Sequence, residues 1–162
     1  MNRMEGREKL KETNDQFSEQ LSEGEKIQEE GEQSDRILQG MELDGLDSDT
    51  QQAAGEVLNE YSDTYNQAIG EVAEQVEGTA DTAQGNIESL GESRSQVERN
   101  AERYSEAAGV SELGRGSAEA GRSKMESDSQ QYSEIISENE QAIQESRESA
   151  NKMQSVIGGL FG

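Results

Sequence analysis

Cysteine and histidine are both absent from the 162 residues of the chain. Their absence excludes disulfides, thiolate and imidazole nucleophiles, a histidine general base and an ordinary zinc site. The acidic cluster that begins at Asp47 does not fit a calcium loop either, because the positions that require glycine and glutamate hold Gln52 and Leu58. We therefore predict that the protein is not an enzyme and has no catalytic, cofactor-binding or metal-binding residues.

Proline is absent as well, and apolar residues make up only 29% and aromatic residues 4% of the chain. A low apolar content with a net charge of −22 is also typical of disordered chains, but such chains are commonly rich in proline. Without proline, a sequence dominated by Glu, Gln, Ser, Ala and Arg favours long, uninterrupted helices. We expect these helices to surround a thin core.

Acidic side chains outnumber basic ones by 36 to 14. This balance repels the phosphates of nucleic acids and anionic membranes, so we predict that neither is a partner. A partner attracted by charge would be basic, although the acidity can also serve only to keep an extended bundle in solution. No segment has the length of a membrane span, and MNRMEGREKLKE has no apolar stretch typical of a secretory signal. We expect a protein that is cytoplasmic, or secreted without a cleavable signal peptide.

Apolar residues at helical spacing predict a first helix over residues 3–39, in which Gly24 and Gly31 leave gaps in the seam. Gly40 is expected to end this helix, and a loop over residues 40–48 follows it. Three apolar side chains of the loop are expected to lie against a helix end: Met41, Leu43 and Leu46.

A second stripe predicts one long helix over residues 49–108, about 90 Å in length at 1.5 Å per residue. Ser48 stands three residues before Gln51, the spacing of a capping box at the helix start. Three glycines lie on the side opposite the stripe: Gly70, Gly78 and Gly85. Either these small residues let another helix approach, so that the middle helix is sandwiched between the other two, or the helix bends or breaks near residues 78–86.

The segment GVSELGRGS predicts a turn over residues 109–117, with Gly109 ending the long helix and Ser117 capping a last helix over residues 118–160. Antiparallel folding about residue 113 then places Tyr104 near Arg122, and the first hairpin is expected to fold about residue 44. The predicted fold is all-α, a single domain over residues 1–162. Its architecture is an elongated three-helix bundle, or an antiparallel coiled-coil hairpin with long helices.

The stripes also supply candidate partner-binding residues, because a rod of this kind leaves apolar positions uncovered. The octet SVIGGLFG is the most apolar of the chain, and it is either packed on the bundle or offered to a partner. The four tyrosines lie on the stripes, where we expect seam packing with the hydroxyl groups at the rim. The predicted partner-binding residues are Leu58, Tyr61, Tyr65, Val72, Val76, Ile157, Leu160 and Phe161.

The chain has predicted helices joined by GVSELGRGS, turns at Leu38-Gln39-Gly40 and Leu113-Gly114, and an apolar C-terminus. In these features it resembles the WXG100-type proteins and the helical partners of LXG toxins in type VII secretion. Leu38 and Gly40 have the form of the Leu-x-Gly motif that names the toxin family. The chain has no Trp-x-Gly turn, and none of its tyrosines is followed four positions later by Asp or Glu. The resemblance implies an export partner, a helical rod that packs beside the helical N-terminal domain of a toxin.

The leading hypothesis is a non-catalytic helical adaptor or chaperone-like partner of another helical protein. One alternative is a self-assembling structural protein, such as a scaffold or filament subunit, which would use the same stripes to form homo-oligomers. The other is an acidic immunity-type inhibitor of a basic enzyme. Salt distinguishes them, because an acidic binder loses association rate as salt rises, whereas pairing through apolar stripes is nearly independent of salt.

Overall fold

The computed structural model describes residues 1–41, 45–110 and 114–162 as an all-α fold of three long helices. Helix α1 comprises Arg3–Gln39, α2 comprises Ser48–Val110 and α3 comprises Arg115–Gly158. No strand occurs in these ranges. The prediction of an all-α fold with three long helices is confirmed. Residues 42–44 and 111–113, which include the predicted loop residue Leu43 and the turn residue Leu113, lie outside the described residues.

The start of α2 is capped by Asp47 rather than by Ser48. The Asp47 Oδ1 accepts the backbone N–H of Thr50 at 2.8 Å, and the Asp47 carbonyl accepts the N–H of Gln51 at 3.0 Å. A carboxylate accepts hydrogen bonds more strongly than a hydroxyl group, and the helix dipole favours negative charge at this end. The bond from Thr50 also holds the pKa of the Asp47 carboxyl below its ordinary value of 3.8.

The end of α2 and the start of α3 also differ from the prediction. Helix α2 continues through Gly109, and α3 begins at Arg115, before Ser117. The Gly114 carbonyl accepts the N–H of Ala118 at 2.9 Å, so the first turn of α3 closes on Gly114. The caps expected at Gly109 and Ser117 are therefore wrong. No glycine in the described part of the chain has the positive φ of a left-handed helix cap.

The chain forms two compact units, each with a segment of all three helices. Unit 1 comprises Met1–Asn14 and Ala80–Ile143, and unit 2 comprises Asp15–Thr79 and Gln144–Gly162. The single domain over residues 1–162 stays a prediction.

The α1 and α2 segments of unit 2 are antiparallel. Gln20 exchanges hydrogen bonds with Thr79 at 2.8 and 3.2 Å, whereas Gly31, further along α1, lies beside Tyr65, which is earlier in α2. At equal rise in both helices, this register centres the first hairpin at about residue 48 rather than residue 44. The register is set by the packing of α2 side chains against α1. The midpoint of the loop, on which the prediction was based, does not determine that packing.

Gly24 and Gly31 are buried positions of the seam in unit 2 rather than gaps in it. A Cβ placed on Gly24 would lie 2.6 Å from the Met153 Sδ and 3.3 Å from the Val72 Cγ1. On Gly31 it would lie 3.3 Å from the Leu160 Cδ1. Large side chains of α2 and α3 therefore occupy the space that α1 leaves open. The core of unit 2 consists of Ile69, Val72, Met153 and Ile157, with Leu21, Ile27, Tyr65 and Leu160 packed against it.

Unit 1 has polar side chains in its interior. Asn139 is fully buried, and its Nδ2 donates to the Ile135 carbonyl at 2.8 Å, but its Oδ1 has no hydrogen-bond partner. The Nδ2 of the buried Asn86 also has none. The predicted approach of Tyr104 to α3 occurs at Gly121, one residue before Arg122, where a Cβ would lie 2.6 Å from the Tyr104 Cε1.

The glycines of α2 do not form a packing ridge. No side chain and no backbone outside the neighbouring helical turns lies within 4 Å of a Cβ placed on Gly70, Gly78 or Gly85. Helix α2 is also continuous through this region. The expectation of a close helix approach on this side is therefore wrong, and so is that of a break near residues 78–86. The apolar stripe on the other side of α2 is the side that packs.

Candidate protein-binding site

An apolar cavity of about 210 Å³ lies between the end of α1 and the beginning of α2 in unit 2. Met41 beside it is 52% exposed, and Val57 and Tyr61 are each 40% exposed. These side chains form an uncovered groove at the surface of the unit. We define the groove by the residues that line it, which are Leu38, Met41, Ala54, Val57, Leu58 and Tyr61.

Exposed apolar side chains continue beyond the groove. Ile37, one residue before the lining residue Leu38, is 62% exposed, and Leu46 is also exposed. Met41 and Leu46 were expected to lie against a helix end, but both remain open to solvent. All large exposed apolar side chains of the described residues lie between Ile37 and Tyr61, except Met4 and Tyr104. A concentration of this kind marks an interaction surface more often than isolated exposed residues do.

Three aromatic rings stack beside the groove. The centroids of Tyr61 and Tyr65 are 6.2 Å apart, and the Phe161 ring lies 6.1 Å from Tyr61 and 5.8 Å from Tyr65. The Phe161 N–H donates to the Asp35 Oδ1 at 3.0 Å, and the Tyr65 hydroxyl shares a hydrogen bond of 3.1 Å with Ser34. Of the two interpretations of the octet SVIGGLFG, the structure has the one in which it packs on the bundle.

Phe161 has a φ of 64°, which is a left-handed backbone conformation. This conformation costs a residue that has a Cβ atom roughly 1–2 kcal/mol. The stacked rings and the hydrogen bond to Asp35 hold it in this conformation. A partner that captured this end of the chain would have to replace those contacts.

The predicted partner-binding residues fall into two groups. Val72, Val76 and Ile157 are almost completely buried in unit 2 by the protein's own side chains. They are not at the surface, because the stripe on which they lie is the seam of the unit. The others are exposed or half-buried at or beside the groove: Leu58, Tyr61, Tyr65, Leu160 and Phe161.

The Leu-x-Gly sequence stands at the end of α1. Leu38 lines the groove, and Gly40 directly follows the last residue of the helix, as predicted. The Gly40 N–H donates to the Arg36 carbonyl at 3.1 Å, and the Met41 N–H donates to the Leu38 carbonyl at 3.2 Å. The motif therefore supplies one groove residue and the helix terminus.

Val57 was not among the predicted partner-binding residues. Met41 was predicted to lie against a helix end, but it lines the exposed groove. Val57 follows Glu56 and precedes Leu58, so it lies at the edge of the stripe and breaks the strict spacing of three or four. The adjacent apolar pair Val57-Leu58 was the available signal, because it widens the stripe beyond what a two-helix seam requires.

The groove lies in a strongly acidic stretch of the sequence. No lysine or arginine occurs between Arg36 and Arg94, whereas α2 has exposed acidic residues beside the groove at Asp49, Glu56 and Glu60. Glu60 is one helical turn from Val57 and adjacent to Tyr61. Apart from Arg36, which is two residues before the lining residue Leu38 on α1, the charged residues of the described chain nearest the groove in sequence are acidic, so they favour a positively charged partner.

The described residues include no group of three or more Asp or Glu side chains placed to hold a metal ion. None of their helices combines the length and the apolarity needed to cross a membrane. Tyr61 and Tyr104 are each 40% exposed, although the Tyr104 ring packs over Gly121 of α3, whereas Tyr65 and Tyr132 are more deeply buried in the seam.

Comparison of the chain with protein-family models, with curated proteins and with solved structures gave no match.

Proposed function

We propose that this protein is a non-catalytic helical adaptor, or chaperone-like partner, of another helical protein. The observation that carries the proposal is the groove of unit 2, where apolar side chains from two helices remain exposed around a cavity of about 210 Å³. Covering such side chains is the main favourable term in protein association. The prediction that the protein is not an enzyme is part of the same proposal.

The more specific form of the proposal is an export partner of a toxin in type VII secretion. It is supported by the resemblance of the helical hairpin and by Leu38-Gln39-Gly40 at the end of α1. In this form the protein is cytoplasmic or secreted without a cleavable signal peptide, and the toxin supplies the helices that cover the groove.

The test is a pull-down with the tagged full-length chain from cells and from culture supernatant, followed by mass spectrometry. Val57→Asp places a charge in the groove, and Met4→Asp places the same charge on an exposed apolar residue outside it. We expect one stoichiometric helical partner with the unmodified chain and with Met4→Asp, and its loss with Val57→Asp. Recovery of the chain alone as a defined homo-oligomer would overturn the adaptor proposal in favour of self-assembly.

A further inference from the structure

The size of the groove selects the kind of group that fits it. Sites for small-molecule ligands usually have volumes of about 300–1,000 Å³, whereas an apolar cavity of ~150 Å³ already holds a benzene ring. The cavity of about 210 Å³ therefore matches one large apolar side chain. Its lining residues are apolar apart from the Tyr61 hydroxyl, so it has few polar groups that would orient a small polar ligand.

The shape of the groove indicates that this side chain belongs to a helix. The lining residues of α2 run from Ala54 to Tyr61, two helical turns or about 10 Å, and α1 supplies the opposite wall with Leu38 and Met41. A helix that packs along two others presents apolar anchors at positions i, i+3 or i+4, and i+7, and these anchors span the same distance along the helix axis as the lining residues of α2. One central anchor would fill the cavity, and its neighbours would cover Val57 and Tyr61.

The charge around the groove limits the partner further. Asp49, Glu56 and Glu60 are exposed beside it, and the nearest basic residue in sequence is Arg36. A second copy docked groove to groove would bring the same acidic residues against them, and an anionic membrane would be repelled as well. Exposed ion pairs contribute little affinity, so the charges select the partner while the apolar anchors supply most of the affinity.

We propose that the groove of unit 2 binds a basic amphipathic helix, which inserts one large apolar side chain between Ala54, Leu58 and Leu38 and places lysine or arginine residues beside Glu56 and Glu60. The inference rests on the proposed adaptor function, and it names the class of partner segment. The neighbouring Phe161 ring is already held by Tyr61, Tyr65 and Asp35, so the protein's own C-terminal residues occupy the adjacent stack.

The experiment uses the full chain and two synthetic peptides of about 20 residues, long enough for a stable helix. Both have leucine and one central phenylalanine on a single face. One has lysine on the flanking positions, and the other has glutamate there. Calorimetry and stopped-flow fluorescence give the affinity and the association rate, at roughly 50 mM and 500 mM salt.

Ala54→Leu is the first variant, because an isobutyl side chain in place of the methyl group occupies part of the cavity and obstructs an inserted side chain. Ala107→Leu is its control, since Ala107 is an exposed alanine of the same helix in unit 1. Glu60→Lys is a surface change that leaves the cavity open, and it keeps the test valid if Ala54→Leu fails to fold.

We expect the lysine peptide to bind the unmodified chain and Ala107→Leu equally, and Ala54→Leu about tenfold more weakly, a difference of about 1.4 kcal/mol. Glu60→Lys should slow association and reduce its dependence on salt. The glutamate peptide should bind at least about tenfold more weakly than the lysine peptide. Equal affinities for the two peptides, or undiminished binding to Ala54→Leu, would overturn the inference.

Two further outcomes separate this inference from the adaptor function. A partner from the pull-down that binds Ala54→Leu as well as the unmodified chain would leave the adaptor function standing and overturn the assignment to the groove. A homodimer that Ala54→Leu dissociates would assign the groove to a second copy and overturn both.

Discussion

The two units share one way of building a thin core but differ in the polar groups that they bury. Gly24 and Gly31 in unit 2, and Gly6 in unit 1, are glycines of α1 that large side chains of other helices cover. The buried side-chain atoms without a hydrogen-bond partner in the described part of the chain both lie in unit 1, on Asn86 and Asn139. A chain with few apolar residues can therefore concentrate them over glycine, and unit 1 in addition accepts unpaired polar groups in its interior.

The two units also differ in charge. Unit 1 has ion pairs such as Arg3 with Asp128 at 3.2 Å, and Lys124 reaches the same carboxylate at 3.0 Å. The basic side chains of unit 2 are few, namely Lys26, Arg36, Arg147 and Lys152. Basic residues are thus scarcer in unit 2, which is also the unit that has the uncovered groove. Unit 2 is therefore the unit suited to binding a basic partner.

The largest effect should come from emptying a buried site in each unit with the same substitution. Ile157 in unit 2 and Ile135 in unit 1 are both fully buried, so Ile157→Ala and Ile135→Ala should each lower the free energy of unfolding by about 2–5 kcal/mol. Urea denaturation of the purified variants measures both losses. A loss below about 1 kcal/mol for Ile157→Ala alone would mean that the glycine seam of unit 2 is loosely packed.

Substitution of leucine for glycine should change the free energy of unfolding in opposite directions at glycines of the seam and at glycines that face open space. Gly24→Leu should lower the free energy of unfolding by about 1–3 kcal/mol, because Met153, Val72 and Ile69 already occupy the site. Gly78→Leu should raise it by somewhat less than about 1 kcal/mol, because leucine favours the helix and a Cβ meets nothing there. Thermal denaturation followed by circular dichroism compares the two, and opposite signs are the required result.

Removing a buried polar group should stabilise unit 1. Asn139→Leu eliminates an acceptor with no hydrogen-bond partner, so the free energy of unfolding should rise by up to about 2 kcal/mol. Asn151→Leu, at an exposed position of α3, is the control and should change it by less than about 0.5 kcal/mol. Denaturant midpoints measure both. A loss of stability with Asn139→Leu would contradict the expectation that the unpaired Oδ1 costs more than the hydrogen bond to Ile135 contributes.

The smallest effect is expected at the helix starts, where the Asp47 carboxylate caps α2, whereas α3 begins at Arg115 directly after Gly114, which has no side chain to act as a cap. The pKa of the Asp47 carboxyl is lowered in the folded protein, so its contribution to stability is present above the ordinary value of 3.8 and is lost as pH falls through the folded pKa. Asp47→Ala should therefore lower the melting temperature at neutral pH but not at pH values below that transition. Asp47→Asn keeps an acceptor without a charge and should lose less.

Much of the fold follows from periodicity. Apolar residues three or four positions apart, together with the absence of proline, were sufficient to predict three long helices and the antiparallel register of α2 and α3. The predicted range of α1, residues 3–39, coincides with Arg3–Gln39. The helix ends were less predictable, since Asp47 and Ser48 are both good caps and only the hydrogen bonds to Thr50 and Gln51 distinguish them.

The candidate site was predictable only in part. Leu58, Tyr61 and Leu38 could be named because they continue the stripes, and all three line the groove. Val72, Val76 and Ile157 lie on the same stripes, yet they are buried. Periodicity identifies the apolar side of a helix, but burial depends on which other segments lie beside each turn.

The amino-acid sequence alone was enough to show that the fold is helical, that the surface is acidic and that thiol and imidazole chemistry are excluded. These properties depend on composition or on local residue order, so no tertiary contact is needed to establish them. Packing of several helices determined the rest. It made Gly24 a contact point and left Gly78 open, and it left one end of the stripe in unit 2 uncovered. The physical reason is that a glycine has no side chain of its own, so its role depends entirely on the side chains that other helices bring to it.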